Sequence, residues 1–199
     1  IGIPASVGLI LLRRPLVELF YERNAFTTES TYRTSTVILF YSIGVWAYST
    51  SHVIIRDFYS VQDTKTPVKV GVGMVGLNLV LNLTLIWFLR EGGLALATAI
   101  SATIQIIILF TLLHRKLNIT GHKHIFTSTI KTLIATFFMY ITCWIMLKIM
   151  PASDGKLVIK SIRLLIPLTT AILAFFTISF LLKSEELKYL YASFRRKRE

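Results

Sequence analysis

An all-α polytopic membrane protein with six transmembrane helices is the fold that this sequence predicts. Three observations predict it. Apolar residues are 54% of the chain and mean hydropathy is +0.65. Only 16% of residues are charged, against about 25% in soluble domains. The apolar residues also come in blocks, several of about twenty residues, without the short rhythm of half-buried elements. A net charge of +12 would suit nucleic acid. Most Lys and Arg, however, lie in short links and in the tail, where positive-inside bias places them, and no nucleic-acid partner is expected.

The first block covers residues 1–21 and is interrupted by Arg13-Arg14-Pro15. Two arginines inside a spanning segment are costly. They face a cavity or partner, or they snorkel to an interface if the span begins upstream. Residues 22–34 read as a polar loop. The second block, 35–55, carries Tyr41, Tyr48 and His52 on one helical face, a face expected to meet protein or water rather than lipid. His52 reads either as a titrating group or as a hydrogen-bonded residue near a helix end.

The polar island Arg56 to Pro67 follows and organises the chain. Its Thr66-Pro67 step marks a break and a new start, because proline suits a helix's first turn. The third block is 68–89 and the fourth 94–113. Their link, Arg90-Glu91-Gly92-Gly93, is short enough to make them antiparallel neighbours. The fifth and sixth blocks are 128–150 and 162–182. Residues 183–199 form a basic tail ending near Arg195-Arg196-Lys197-Arg198, which anionic headgroups would attract.

If the tail is cytoplasmic, its side holds Arg56, Lys65, Lys69, Arg115, Lys116, Lys123, Lys131 and the six basic residues of the tail. The other side holds Arg23, Arg33, Arg90, Lys148, Lys156, Lys160 and Arg163. The excess puts the tail and the polar island inside. The chain opens Ile-Gly-Ile-Pro without Met, as the C-terminal piece of a longer protein would.

Gly71-x-Gly73-x-x-Gly76 matches a dinucleotide fingerprint in letters only. It lies inside an apolar block without the required strand and turn. Small residues there are expected to let helices approach closely. Asn78 and Asn82 are four apart and share a face, with Thr98 one turn into the next block. Their oxygens, with a free carbonyl, would suit a hard cation such as Na⁺. Interhelical hydrogen bonding is the other reading of the same spacing. Gln105 is a further amide in the apolar region with no assigned role. The sequence holds no paired carboxylates, Ser/His/Asp set or His/Cys cluster, and its single Cys143 gives neither a disulfide nor a metal spacing. His114, His122 and His124 read as a solvated basic loop.

Several stretches together resemble the MurJ/MviN family, lipid II flippases of the MOP exporter superfamily. They are Ile3-Pro4-Ala5 through Val7-Gly8-Leu9, Pro15 to Phe20, and Glu22 to Thr27. Arg56-Asp57-Phe58-Tyr59-Ser60, Asp63-Thr64-Lys65-Thr66-Pro67, Asn78-x-x-x-Asn82 and Gly93 to Thr98 follow. The match covers 1–117, and the last two helices agree in number and hydrophobicity. The resemblance implies helices nine to fourteen of a fourteen-helix, two-lobed flippase: residues 1–117 as part of the C-terminal lobe, 118–182 as the final pair. The substrate it implies is the undecaprenyl-linked peptidoglycan precursor, moved by alternating access, with membrane lipids and the missing N-terminal lobe as partners. The chain is therefore expected not to transport alone. Arg13, Arg14 and Arg56 would meet substrate phosphate. Phe137, Phe138, Phe175 and Phe176 would line a groove for the lipid tail. Asn78, Asn82 and Thr98 fall where some members bind Na⁺, the one cofactor that the resemblance admits. Two departures stand out: Asn82 occupies a position that can be Asp, and Arg23-Asn24 replaces Arg-Gly.

Two rival functions use the same residues differently. One is export of another polyprenyl-linked saccharide. The other is a membrane-embedded polyprenyl-phosphate transferase, for which Asp57 and Asp63 are the available acids. A non-catalytic scaffold is a third, against which the polar face of the second block argues.

Overall fold

The computed structural model describes residues 1–22, 26–117, 122–150 and 157–182, with the backbone alone for 122–126. Arg23-Asn24, the side chains of His122, Lys123 and His124, and the basic tail lie outside the described residues.

Six helices are present among the described residues: α1 (Gly2–Phe20), α2 (Thr28–Ser60), α3 (Lys65–Leu89), α4 (Glu91–Leu117), α5 (His122–Ile149) and α6 (Leu157–Leu181). By length and composition, α2 to α6 can each cross a membrane. α1, with Arg13, Arg14 and Glu18 in 19 residues, is not among those five. Pro15 removes one backbone donor from α1, and the Arg13 guanidinium donates to the Ile10 carbonyl at 3.0 Å.

α2 corrects the sequence reading most. The expected span 35–55 is helical from Thr28 to Ser60, so most of the polar loop and half of the polar island belong to one helix. Thr27 caps its start by accepting from Ser30 N at 3.3 Å, with Glu29 in the first turn where the helix dipole favours an acid. At its end Gln62 N bonds Tyr59 O and Asp63 N bonds Phe58 O, both at 3.0 Å. Gln62 has φ 59°. This is a Schellman stop with glutamine where glycine is usual. The 33 residues extend about 50 Å, so both ends run beyond a hydrocarbon core of about 30 Å. The island shrinks to Val61–Thr64, and Pro67 sits in the first turn of α3.

The other helices outrun their apolar blocks for the same reason: α4 starts three residues early and ends four late, and α5 and α6 begin at His122 and Leu157. Hydropathy locates the lipid-buried stretch, whereas hydrogen bonding sets the helix ends.

Two compact units divide the chain between Ile119 and Thr120. In the first, α2 packs against α1 and α4, α3 packs against α4, and α3 barely touches α2. Ala47, Ile54 and Phe58 of α2 meet Ala102, Ile106, Leu109 and Leu113 of α4 in its core. The crossing is close because its residues are small: a methyl on Gly44 would lie 2.9 Å from Ala99 Cα. α1 locks to α2 through Ser6, whose hydroxyl accepts from Trp46 N at 3.0 Å. In the second unit α5 packs on α6, burying Ala135, Met139 and Cys143 from one helix and Leu164, Pro167 and Ala171 from the other.

The glycine triplet does not behave as expected. A methyl at Gly71, Gly73 or Gly76 would meet nothing within 4 Å among the described residues. At 100° per residue, Gly71 and Gly73 fall on opposite sides of α3, so the three cannot form one packing stripe.

Candidate functional site

The α3–α4 hairpin builds a polar seam. Its link is a single residue, Arg90, at φ 50° and ψ −130°. The glycines that the sequence suggested as the link lie in the first turn of α4. Gly93 lets α4 press on the end of α3: a methyl there would lie 2.4 Å from the Leu85 carbonyl oxygen. This close approach sets Asn78 beside Thr98, with Asn82 joined to Asn78. Asn82 Nδ2 donates to Asn78 Oδ1 at 2.9 Å, and Asn78 Nδ2 donates to Thr98 Oγ1 at 3.5 Å. Thr98 in turn donates to the Leu94 carbonyl at 2.8 Å.

The seam is thus a chain of donors that ends on a backbone oxygen. One atom stands outside it: Asn82 Oδ1 is buried and has no hydrogen-bond partner among the described residues. An unmet acceptor in a seam that also holds an amide oxygen, a hydroxyl and a carbonyl fits a hard monovalent cation in donor type. All four groups are neutral. Among the described residues no group of three His, Cys, Asp or Glu side chains could hold a metal.

The three candidate arginines separate. Arg13 and Arg14 lie late in α1. α1 runs against α2 with Gly2 beside Trp46 and Ser49, so Arg56 lies about 27 Å away along the bundle. Arg13 is half-buried and spent on the Ile10 carbonyl. The Arg14 side chain is 60% exposed, and its Nε lies 3.9 Å from Glu18 Oε1. Arg56 is exposed in the last turns of α2, as are Tyr41, Tyr48 and His52 further up that helix.

At one end of the unit, Asp63 joins three helix ends. Its Oδ1 accepts from Thr66 N at 3.0 Å. Its Oδ2 accepts from the Thr66 hydroxyl at 2.8 Å and from Lys116 Nζ at 2.6 Å. The Lys116 ammonium, then the Thr66 donors, hold its carboxyl well below the usual carboxylate range. Asp63 is therefore occupied as a cap and an ion-pair partner. At the other end of the unit, Arg33 takes Glu29 at 2.7 Å and reaches Glu91 at 3.9 Å.

In the second unit Phe137, Phe138 and Phe176 are exposed and Phe175 half-buried. Each stacks edge-on with its sequence neighbour, at 6.1 Å for Phe137–Phe138 and 5.8 Å for Phe175–Phe176.

Sequence reasoning missed Glu18 and Lys116. The four-residue spacing of Arg14 and Glu18 was a usable signal. Nothing local links Lys116 to Asp63, 53 residues apart.

The family profile described as "Lipid II flippase MurJ" matches residues 1–179. A probable lipid II flippase MurJ of Vibrio cholerae is 36% identical over 130 residues, which is 65% of this chain and 24% of that protein. A lipid II flippase MurJ of Thermosipho africanus is 32% identical over 142 residues, 70% of this chain and 29% of that one. A solved structure of a lipid II flippase MurJ in an inward closed conformation superposes with a TM-score of 0.72 at 25% identity. It covers 94% of this chain, which spans 37% of that one. The chain thus spans about a quarter to a third of the length of these curated relatives. Their fold accounts for the all-helical architecture here, and the chain belongs to the lipid II flippase MurJ family.

Proposed function

We propose that this chain forms the C-terminal part of a flippase. The whole protein would carry an undecaprenyl-linked peptidoglycan precursor from the inner to the outer leaflet of the bacterial cytoplasmic membrane. It acts as a transporter and performs no chemistry on its substrate. The observation that carries this reading is the family match over residues 1–179. Alternating access needs two bodies rocking about a midplane site, so the partner lobe comes from the length that the relatives have and this chain lacks. The Lys and Arg excess supports a cytoplasmic tail. Residues 1–117 would belong to the rocking lobe and 118–182 to the final helix pair. Phe137, Phe138, Phe175 and Phe176 offer that pair an apolar lining for a lipid chain. Arg13, Arg14 and Arg56 are the cations proposed for substrate phosphate, since guanidinium pairs with its oxygens as a fork, and Arg13 would first have to leave the Ile10 carbonyl.

Depleting the full-length protein in its source cell tests this reading. The precursor is expected to accumulate in the inner leaflet and fall in the outer one. An unchanged distribution with no redundant flippase present would point to another polyprenyl-linked cargo. A fall in total precursor would favour the transferase. Changing Arg13 and Arg14 together to Ala is expected to slow transport several-fold, and unchanged transport removes them from the pathway.

Asn78, Asn82 and Thr98 would hold Na⁺, which would supply the positive charge that the open Asn82 oxygen lacks as a partner. The neutral seam predicts weak binding. Sodium, against potassium, should raise the thermal midpoint of the full-length protein by at most a few degrees. Asn82→Asp should enlarge that difference by adding a charge. A sodium response that Asn82→Asp and Asn78→Ala both leave untouched would place the ion elsewhere.

A further inference from the structure

We propose that one face of α2 is a track for the saccharide of the lipid-linked cargo, which rests on the rings of Tyr41, Tyr48 and Tyr59. This rests on the flippase reading and names the part of this chain that would tell a saccharide-bearing lipid from a bare one.

Thr34, Tyr41, Tyr48, His52 and Tyr59 follow one another in steps of seven, seven, four and seven. At 100° per residue they stay within an arc of about 40° on one side of α2. Tyr41, Tyr48 and Tyr59 are 46%, 42% and 51% exposed, and His52 is exposed with them. From Tyr41 to Tyr59 the stripe runs about 27 Å, close to the thickness of a hydrocarbon core. Tyr41 and Tyr48 flank the midpoint of α2, where lipid offers their hydroxyls no hydrogen-bond partner. A close helix crossing suits this face no better. Membrane helices meet through small residues, and the faces that α2 buries follow that rule with Ser35, Ser42, Gly44, Ala47 and Ser51. The tyrosine face is built of bulky side chains with polar tips, which suits a wet surface.

Both ends of the stripe are polar. At one end it runs into a cavity of about 340 Å³ lined by Ser30, Arg33, Thr34, Val37 and Glu91, a size usual for ligand pockets. Two hydroxyls, a carboxylate and a guanidinium supply both donors and acceptors there. At the other end Arg56 lies one turn after His52 and one turn before Tyr59, so the three share a patch of surface. A phosphate on the Arg56 guanidinium would bring its attached sugar against the Tyr59 ring. A sugar has apolar C–H faces and a rim of hydroxyls, and tyrosine matches it with a ring and a polar tip. Tyr41 and Tyr48 lie about 10 Å apart along the axis, so contact is handed from ring to ring rather than accumulated at one place.

The test uses the full-length protein and two probes, bare undecaprenyl diphosphate and the same lipid carrying a disaccharide. Wild type is expected to prefer the second. Tyr48→Ala should weaken the disaccharide-bearing probe about three- to tenfold, the scale of one aromatic contact, and leave the bare one unchanged. Tyr48→Phe keeps the ring and should retain most of the affinity, which guards against a folding failure of the alanine variant. Val53→Ala, on another side of α2, should move neither probe. Tyr48→Cys should react with a membrane-impermeant thiol reagent while the buried Cys143 stays silent, and the disaccharide-bearing probe should slow that reaction more than the bare one. The proposal is overturned if wild type binds both probes alike, if Tyr48→Ala shifts both equally, or if Tyr48→Phe falls as far as Tyr48→Ala. An unreactive Tyr48→Cys would likewise overturn it, assigning the face to lipid or to a further helix. A wild-type protein that binds neither probe would instead sink the flippase reading itself.

Discussion

Gly93→Ala should collapse the α3–α4 hairpin. The new methyl would lie 2.4 Å from the Leu85 carbonyl oxygen, 2.7 Å from the Leu85 carbonyl carbon and 3.1 Å from Ile86 N. All three are backbone atoms of a helix, so no side chain can swing aside. Overpacking in a yielding core costs about 1–3 kcal/mol. Here the helices must separate, and about 3 kcal/mol or more is expected. The hairpin has little reserve, since Arg90 already holds a backbone conformation that favours glycine, at φ 50°. Separation would also pull Asn78 from Thr98, whose contact is already 3.5 Å, so the sodium response proposed for this seam should vanish with stability. Gly71→Ala is the control. Its methyl meets open space, and exchanging glycine for alanine in a helix favours the folded state by up to about 1 kcal/mol. Thermal midpoints of the purified chain in detergent compare the two. Equal behaviour would mean that the hairpin relaxes freely. A loss from Gly71→Ala in the full-length protein alone would mark that face as covered by further chain.

The contrast between these glycines explains what the sequence could convey. Apolar blocks place the six helices, because lipid solvation acts on stretches of chain and leaves its mark locally. The Asn78, Asn82 and Thr98 seam was legible for the same reason: a four-residue step and a short link are local facts. Helix ends were not. Thr28 to Thr34 is polar yet helical once Thr27 caps it, and Gln62 stops α2 at a place where no glycine announces a stop. The glycine triplet failed because spacing reports which face a residue is on and says nothing of what stands opposite. Arg13 and Arg14 look alike in sequence. The structure turns one back onto the Ile10 carbonyl of its own helix and leaves the other 60% exposed.

Asp63 carries the other large expected effect, and a graded series separates its tasks. Lys116→Gln removes the 2.6 Å ion pair and leaves the cap. Asp63→Asn removes the ion pair but keeps an oxygen for Thr66 N. Asp63→Ala removes both, and Asp63→Lys also sets two cations together at the start of α3, where the helix dipole disfavours them. Stability should fall in that order. The first step should be small, because Lys116 is 45% exposed and such pairs contribute little. Asp63→Ala should lower the thermal midpoint on the order of 2–4 °C, the usual scale of a lost N-cap in a protein of this size, and Asp63→Lys by more. The sign with pH follows from the depressed carboxyl. A carboxylate whose folded pKa lies below its unfolded one stabilises the fold above the unfolded value and loses that contribution as pH falls through the folded one. Between pH 5 and 8 Asp63 should therefore contribute constantly, and its contribution should fade only below about pH 4. Wild type and Asp63→Asn should converge in acid and stay apart at neutral pH, with the gap narrowing at high salt. A gap that persists in acid would assign the effect of Asp63 to shape rather than charge, and would leave Lys116 without a part in holding α4 to the turn.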